Sequence, residues 1–176
     1  MVEPRKISSH FLGRIVVAEN KGEAMQLYDK SRFGEIKENH IQYSLTEALY
    51  LIEKKKLAVK EDKKTIKQKE FIKMASKLEK DFWVRYIVFR DMRNRGYLVK
   101  TALKFGADFR VYDRGVKPGE DHAKWILFPV SESKGFTWYT FSAMNRVAHS
   151  TRKNLLVGIV DSENDVTYYE ISWTKP

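Results

Sequence analysis

The sequence predicts an α+β protein built from two small mixed units, and three observations carry that reading. Helical spacing of apolar residues marks some stretches, while alternation or short β-branched runs mark others, and neither dominates. The composition shifts near residues 80–84: Lys54 to Lys80 holds eleven lysines, four acids and few aromatics, whereas aromatic and β-branched residues are frequent from Phe82 onward. A length of 176 residues suits one ordinary domain or two small ones. The expected division is 1–82, a small mixed α/β unit serving assembly and structure, and 83–176, a mixed-sheet α/β unit flanked by helices.

Taken in order, Gly13 to Glu19 (GRIVVAE) reads as a strand. Ser44-Leu45-Thr46-Glu47 fits a capping box, in which each side chain satisfies the other residue's free backbone N–H. Leu45, Ala48, Leu49 and Ile52 follow it with one helical face. Lys64 to Lys80 reads as a second helix, with Phe71, Ile72, Ala75 and Leu78 inward and lysines outward. That lysine face is either a phosphate-binding surface or an ordinary solvated one. Asp81 to Asn94 reads as a third helix, with Val84, Ile87, Val88 and Met92 on one side and Gly96 as its stop. Strands follow at Tyr97–Lys100, Asp108–Asp113, Ala123–Val130, Asn154–Asp161 and Val166–Trp173. A short helical pattern, Ser142 to Arg152, lies between the third and fourth of these, and Asp161-Ser162-Glu163-Asn164-Asp165 forms an acidic turn between the last two.

Lys and Arg total 33 against 23 for Asp and Glu, a net charge of +10 shared by both halves, which favours a polyanionic partner. There is no cysteine, so disulfide scaffolds, thiol nucleophiles and cysteine-bound metals are excluded. The start MVEPRKISSH lacks an apolar signal core, and no segment has the roughly 20 apolar residues that cross a bilayer. A soluble, cytoplasmic protein with no membrane partner is expected. His10, His40, His122 and His149 form no HExxH or paired-histidine pattern, and phosphate-loop, dinucleotide-binding and GxSxG motifs are missing. Kinase, dehydrogenase and serine-hydrolase chemistry therefore has no support, and no metal or cofactor is expected.

Three segments remain: Phe109-Arg110-Val111-Tyr112-Asp113-Arg114-Gly115, Asp121-His122-Ala123-Lys124-Trp125, and Arg146 through Leu156 (RVAHSTRKNLL). With the run RDMRNRGYLVKTALKFGADFRVYDRG they resemble the archaeal tRNA-splicing endonucleases, most clearly over residues 82–176, and the short length is similar to the homotetrameric class. The resemblance implies a metal-independent RNA endonuclease that removes introns from precursor tRNA at bulge–helix–bulge junctions, leaving 2′,3′-cyclic phosphate and 5′-hydroxyl ends. It implies a triad on Tyr112, His122 and Lys153.

The chemistry suits those groups. A ribose 2′-hydroxyl beside its phosphorus needs in-line geometry, a group to accept its proton and a group to protonate the departing 5′-oxygen. A cation should face the charged phosphorane oxygens. His122 fits the acid, since imidazole titrates near neutrality, and Lys153 fits the cation. A free phenol has a pKa near 10, so roughly one in 10³ is ionised at pH 7, a cost of about 4 kcal/mol. Tyr112 is thus either a base helped by a neighbouring cation or a group that only orients the nucleophile. Each residue also has an ordinary structural reading: packing on a strand for Tyr112, exposure for His122, complementing a helix dipole for Lys153.

Arg146 matches a family arginine that stacks on a flipped-out bulge base, with Trp173 as the other candidate wall; a core position is the ordinary reading of that tryptophan. Arg110, Arg114 and Lys124 are candidate phosphate contacts or plain solvated charges, and His149 a supporting or surface residue. The acidic turn, through Asp161, Glu163 and Asp165, is expected to insert into a basic groove of another subunit of a homotetramer, and strand 166–173 to pair across a dimer; a simple hairpin with a charged tip is the alternative. Two rival functions are a metal-dependent nuclease, for which no acidic pair followed by ExK is found, and a non-catalytic RNA-binding or structural subunit.

Overall fold

The computed structural model describes residues 6–102, 106–116, 119 and 122–174. The chain divides into two compact units, Met1–Tyr86 and Ile87–Pro176. No helix among the described residues is long and apolar enough to cross a membrane.

The first unit runs β1 (Ile7–Phe11), β2 (Ile15–Glu19), α1 (Gly22–Ser31), β3 (Glu35–Lys37), β4 (His40–Ser44), α2 (Leu45–Glu53), β5 (Leu57–Glu61), β6 (Lys64–Thr65) and α3 (Gln68–Leu78). Its six-stranded sheet has the order β3-β4-β2-β1-β5-β6, with β1 and β5 parallel and the other pairs antiparallel. The capping box forms as the sequence requires. Ser44 Oγ accepts from Glu47 N at 3.3 Å, and Glu47 Oε2 accepts from Ser44 N at 3.0 Å. The carboxylate reaches further than the motif demands: its Oε1 accepts from Gly34 N at 3.0 Å, tying the loop before β3 to the helix start. Gly34 has φ +78, and a Cβ there would lie 2.5 Å from Ile41 Cγ2, so only glycine fits. Tyr43, fully buried beside this group, has its phenol pushed up by burial and then by the Glu47 charge.

The helix expected over Lys64–Lys80 is shorter. Lys64 and Thr65 pair with Glu61 and Lys60 in a hairpin whose turn residue Asp62 has φ +52, and the helix begins at Gln68. Its apolar side holds: Phe71 and Ala75 are buried and Ile72 and Leu78 are half-buried.

The second unit's sheet follows α4 (Phe82–Asn94), within which the division between the units falls. Gly96, at φ +88, ends that helix as expected. The strands are β7 (Leu98–Thr101), β8 (Phe109–Tyr112), β9 (Trp125–Ser131), β10 (Asn154–Val160) and β11 (Val166–Ile171), with α5 (Trp138–Ser150) between β9 and β10. The order is β11-β10-β9-β8-β7, with β9 and β10 parallel and all other neighbours antiparallel. A parallel pair needs a crossover, and α5 supplies it. One face of the sheet, with Ile126, Phe128, Leu155 and Val157, packs against Phe141, Met144, Val147 and Ala148 of α5. α4 covers the other face so closely that a Cβ on Gly158 would lie 3.1 Å from Val88 Cγ1. Among the described residues, two mixed sheets and five helices make this the α+β architecture the sequence predicts.

α5 starts four residues before the expected Ser142. Thr137 caps it, its Oγ1 accepting from Thr140 N at 3.3 Å, while Trp138 and Tyr139 stay exposed and hide the helical pattern.

Candidate active site

The parallel pairing decides where the chemistry-bearing residues lie. β9 and β10 begin at the same end of the sheet, and antiparallel β8 finishes there. Val111 O accepts from Lys124 N at 2.9 Å, and Lys124 O accepts from Asn154 N at 3.1 Å, closing that end across three strands. Tyr112 is the last residue of β8, His122 stands three residues before Trp125, and Lys153 immediately precedes Asn154. All three therefore lie at one end of one sheet, Tyr112 closing β8 and His122 and Lys153 in the chain that leads into β9 and β10, three neighbouring strands whose outer two are about 10 Å apart. Asp121, beside His122 in the segment singled out above, lies outside the described residues.

Each is placed by a different local device. Tyr112 is 5% exposed and packs with Leu98, its cross-strand partner, and with Ala123 and Val116. His122 is exposed to solvent. Lys153 is set by the end of α5. Thr151 is the C-cap and Arg152 follows at φ 55; Arg152 N donates to His149 O at 3.0 Å and Lys153 N to Ala148 O at 2.9 Å. That double closure is a Schellman motif with arginine at the left-handed position usually given to glycine. The Lys153 ammonium then donates to Thr151 O at 2.8 Å, so its charge sits on the carbonyl end of the helix.

A groove opens beside Lys153. One cavity of about 280 Å³ is lined by Lys153, Arg152, Asn145, His149 and Trp173, and another of about 680 Å³ by Arg146, Ser142 and the same Asn145, His149 and Trp173. Arg146 and Trp173 thus line one groove. Trp173 is 64% exposed rather than in the core, and its ring meets that of His149 with centroids 5.0 Å apart. Asn145, Thr151 and Arg152 escape the sequence reading; an asparagine, a threonine and an arginine at a helix end give no residue-type signal for a cap normally written with glycine.

The three basic candidates differ. Arg110 lies one alternation from Tyr112, opposite Lys100 and Ile126, with its Nε buried and without an acceptor among the described residues. It is not a freely solvated charge. Arg114 is exposed and lies over the Tyr97 ring, 4.8 Å from its centroid. Lys124 is exposed, 3.6 Å from the Asp113 carboxylate and 4.4 Å from the centre of the Trp125 ring.

The acidic turn is ordered by its own first residue. Asp161 Oδ1 accepts from Glu163 N and Asp165 N, both at 2.9 Å, and Asp161 N donates to Asp165 O at 3.1 Å. Ser162 N donates to Glu132 Oε1 at 2.8 Å. Asp161 is therefore engaged within the loop, while the Glu163 and Asp165 side chains face solvent. β11 beyond it is an edge strand.

The chain matches the family models of the tRNA intron endonuclease N-terminal domain over residues 7–72 and its catalytic C-terminal domain over residues 82–168. It is 41% identical to a tRNA-splicing endonuclease of Methanothermobacter thermautotrophicus over 87% of this chain and 89% of that one. It is 47% identical to one of Nanoarchaeum equitans over 75% and 88%, and 39% identical to one of Thermococcus onnurineus over 99% of both.

Proposed function

The chain belongs to the tRNA intron endonuclease family and carries both of its domains, and we propose that it excises introns from precursor tRNA by a metal-independent transesterification at bulge–helix–bulge junctions. The single observation that carries the mechanism is the placement of Tyr112, His122 and Lys153 in or leading into adjacent strands at one sheet end.

In this mechanism the 2′-oxygen bonds to the adjacent phosphorus as its proton passes to the phenolate form of Tyr112, which becomes the neutral phenol. The P–O5′ bond breaks as the His122 imidazolium donates its proton to the leaving oxygen. The products are a 2′,3′-cyclic phosphate and a 5′-hydroxyl. Positioned proton transfers of this kind each contribute about 10²–10⁴-fold. Lys153 turns from the Thr151 carbonyl toward the phosphorane oxygens, exchanging a fractional helix-end charge for a developing full one. Arg110, Arg114 and Lys124 flank Tyr112 and hold neighbouring phosphates. The groove between Arg146 and Trp173 takes an unstacked bulge base, a planar cation and an indole being suited to π-faces.

Two cuts on one RNA suit a symmetric assembly, and a homotetramer is part of this reading. Glu163 and Asp165 offer the charge for docking on a basic neighbour, and the edge of β11 the backbone groups for pairing across a dimer.

The test is incubation of the protein with intron-containing precursor tRNA in excess EDTA, followed by analysis of the fragment ends. Cyclic phosphate and 5′-hydroxyl ends are expected. Fragments with 5′-phosphates, or cleavage abolished by the chelator, would overturn the mechanism; RNA bound but left whole would mark a non-catalytic subunit.

A further inference from the structure

The proposed mechanism leaves the most concentrated charge in the molecule unused. Residues 54–80 carry eleven lysines and four acids, in the first unit. Within α3, Lys69, Lys73 and Lys77 recur every four residues and are all exposed, so they form one stripe with about 6 Å between successive residues along the axis.

Their neighbours do not neutralise the stripe. The two acids on or next to the helix are committed elsewhere. Glu70 pairs with Lys64 at 3.1 Å, and its carboxyl is held below the usual range by that lysine. Glu79 pairs with Arg85. No ion pair joins Lys69, Lys73 or Lys77 to an acid among the described residues.

The composition of this face selects the partner. Gln68, Lys69, Lys73, Ser76 and Lys77 are its exposed side chains, and no large exposed hydrophobic residue lies on α3. Without an apolar or aromatic anchor the helix has nothing to bury in a lipid interface. Without an aromatic ring it has no platform for unstacked bases. A row of point charges on long flexible stems suits the phosphates of double-helical RNA, which is recognised by shape and backbone.

We infer that the Lys69–Lys73–Lys77 stripe of α3 docks on the phosphate backbone of a double-helical segment in the body of the precursor tRNA, away from the cleaved junctions. This inference rests on precursor tRNA being the substrate. Backbone contact is indifferent to sequence, so one surface serves every precursor that shares the tRNA shape.

The test compares the full-length protein with K69Q/K73Q/K77Q, a change that removes charge at little cost in helix propensity, and with K69R/K73R/K77R, which keeps it. Binding is followed by fluorescence anisotropy across a salt series. The RNAs are an intron-containing precursor and a short bulge–helix–bulge duplex without the tRNA body, each with 2′-deoxyribose at the scissile positions. Blocking cleavage reads docking separately from chemistry, so a protein that binds through the stripe yet never cuts sinks the cleavage reading alone.

The glutamine variant is expected to bind the whole precursor about tenfold more weakly or worse. Its slope of log affinity against log salt should be shallower by about 2–3, the effect of three lost phosphate contacts. The short duplex should be bound as before, and the arginine variant should behave as the parent. An unchanged slope overturns the inference. So does an equal loss on both RNAs, which would put the stripe at the junction. Retention of the parent, but not the glutamine variant, on anionic phospholipid vesicles would assign the surface to a membrane and overturn it too.

Discussion

Tyr112, His122 and Lys153 are held with unequal firmness, and single substitutions should reveal it. Tyr112 is packed, Lys153 is pinned by a helix cap, and His122 is exposed ahead of its strand. In single-turnover assays of precursor cleavage, Tyr112→Phe, His122→Ala and Lys153→Ala should each slow cutting by about 10²-fold or more while leaving RNA affinity nearly intact. Near-normal rates in all three would refute the assignment. The residue types were readable because they stand in family-like segments; their placement at one end of one sheet was not, since it depends on the register of β8, β9 and β10. The difference among the three acids of the turn was equally hidden. Asp161, Glu163 and Asp165 look alike in sequence, but only Asp161 spends its carboxylate on the loop's own backbone. Asp161→Ala should therefore disorder the turn itself, and a clean test of subunit docking must spare it.

At the level of elements, the capping box of α2 gives a graded expectation. Ser44→Ala removes the Oγ contacts with Glu47 N, Glu47 Oε2 and Thr46 Oγ1, all at a part-buried site, and should cost about 1 kcal/mol in denaturant unfolding. Glu47→Ala removes the bonds to Ser44 and to Gly34 N and leaves buried donors unpaired, so it should cost about 3 kcal/mol. Equal losses would mean the Gly34 link contributes nothing. That helix was legible because its start is written in four consecutive residues. α1 was not: it opens at Gly22, its N-cap Lys21 makes no side-chain bond, and only Ala24 and Leu27 are buried. β4 carried the period-2 signal in HIQYS, with Ile41 and Tyr43 buried, but Ser44 drew the reading to the helix after it. In α3 a run of lysines with high helix propensity concealed the Lys64–Thr65 hairpin, because only pairing with Glu61 and Lys60 distinguishes strand from helix there.

Across the whole molecule, two phenols, one in each unit, tie stability to high pH. Tyr43 is raised by burial and Glu47. Tyr168 is raised by burial and by Asp91, whose Oδ2 accepts its hydroxyl at 2.9 Å. A folded-state pKa above the unfolded one leaves stability full below the ordinary phenol range near 10 and removes it as pH rises beyond. Unfolding followed from pH 8 to 12 should show that decline, and the pair Tyr43→Phe with Tyr168→Phe should flatten it. At neutral pH Tyr43→Phe should be nearly neutral, because the buried hydroxyl has no partner among the described residues. The proposed homotetramer is the other expectation at this scale. Light scattering of Glu163→Lys with Asp165→Lys should give a smaller particle than the parent, and an unchanged mass would dismiss loop docking.

Under the proposed mechanism, the crossover through α5 also sets when cleavage can begin. The β9–β10 pairing that brings the lysine to the sheet joins Trp125 to Asn154, 29 positions apart, and such distant pairings form slowly. During refolding from denaturant, helical ellipticity should return ahead of nuclease activity. Under the proposed triad, a chain emerging from synthesis should leave the RNA around it uncut until β10 has joined β9.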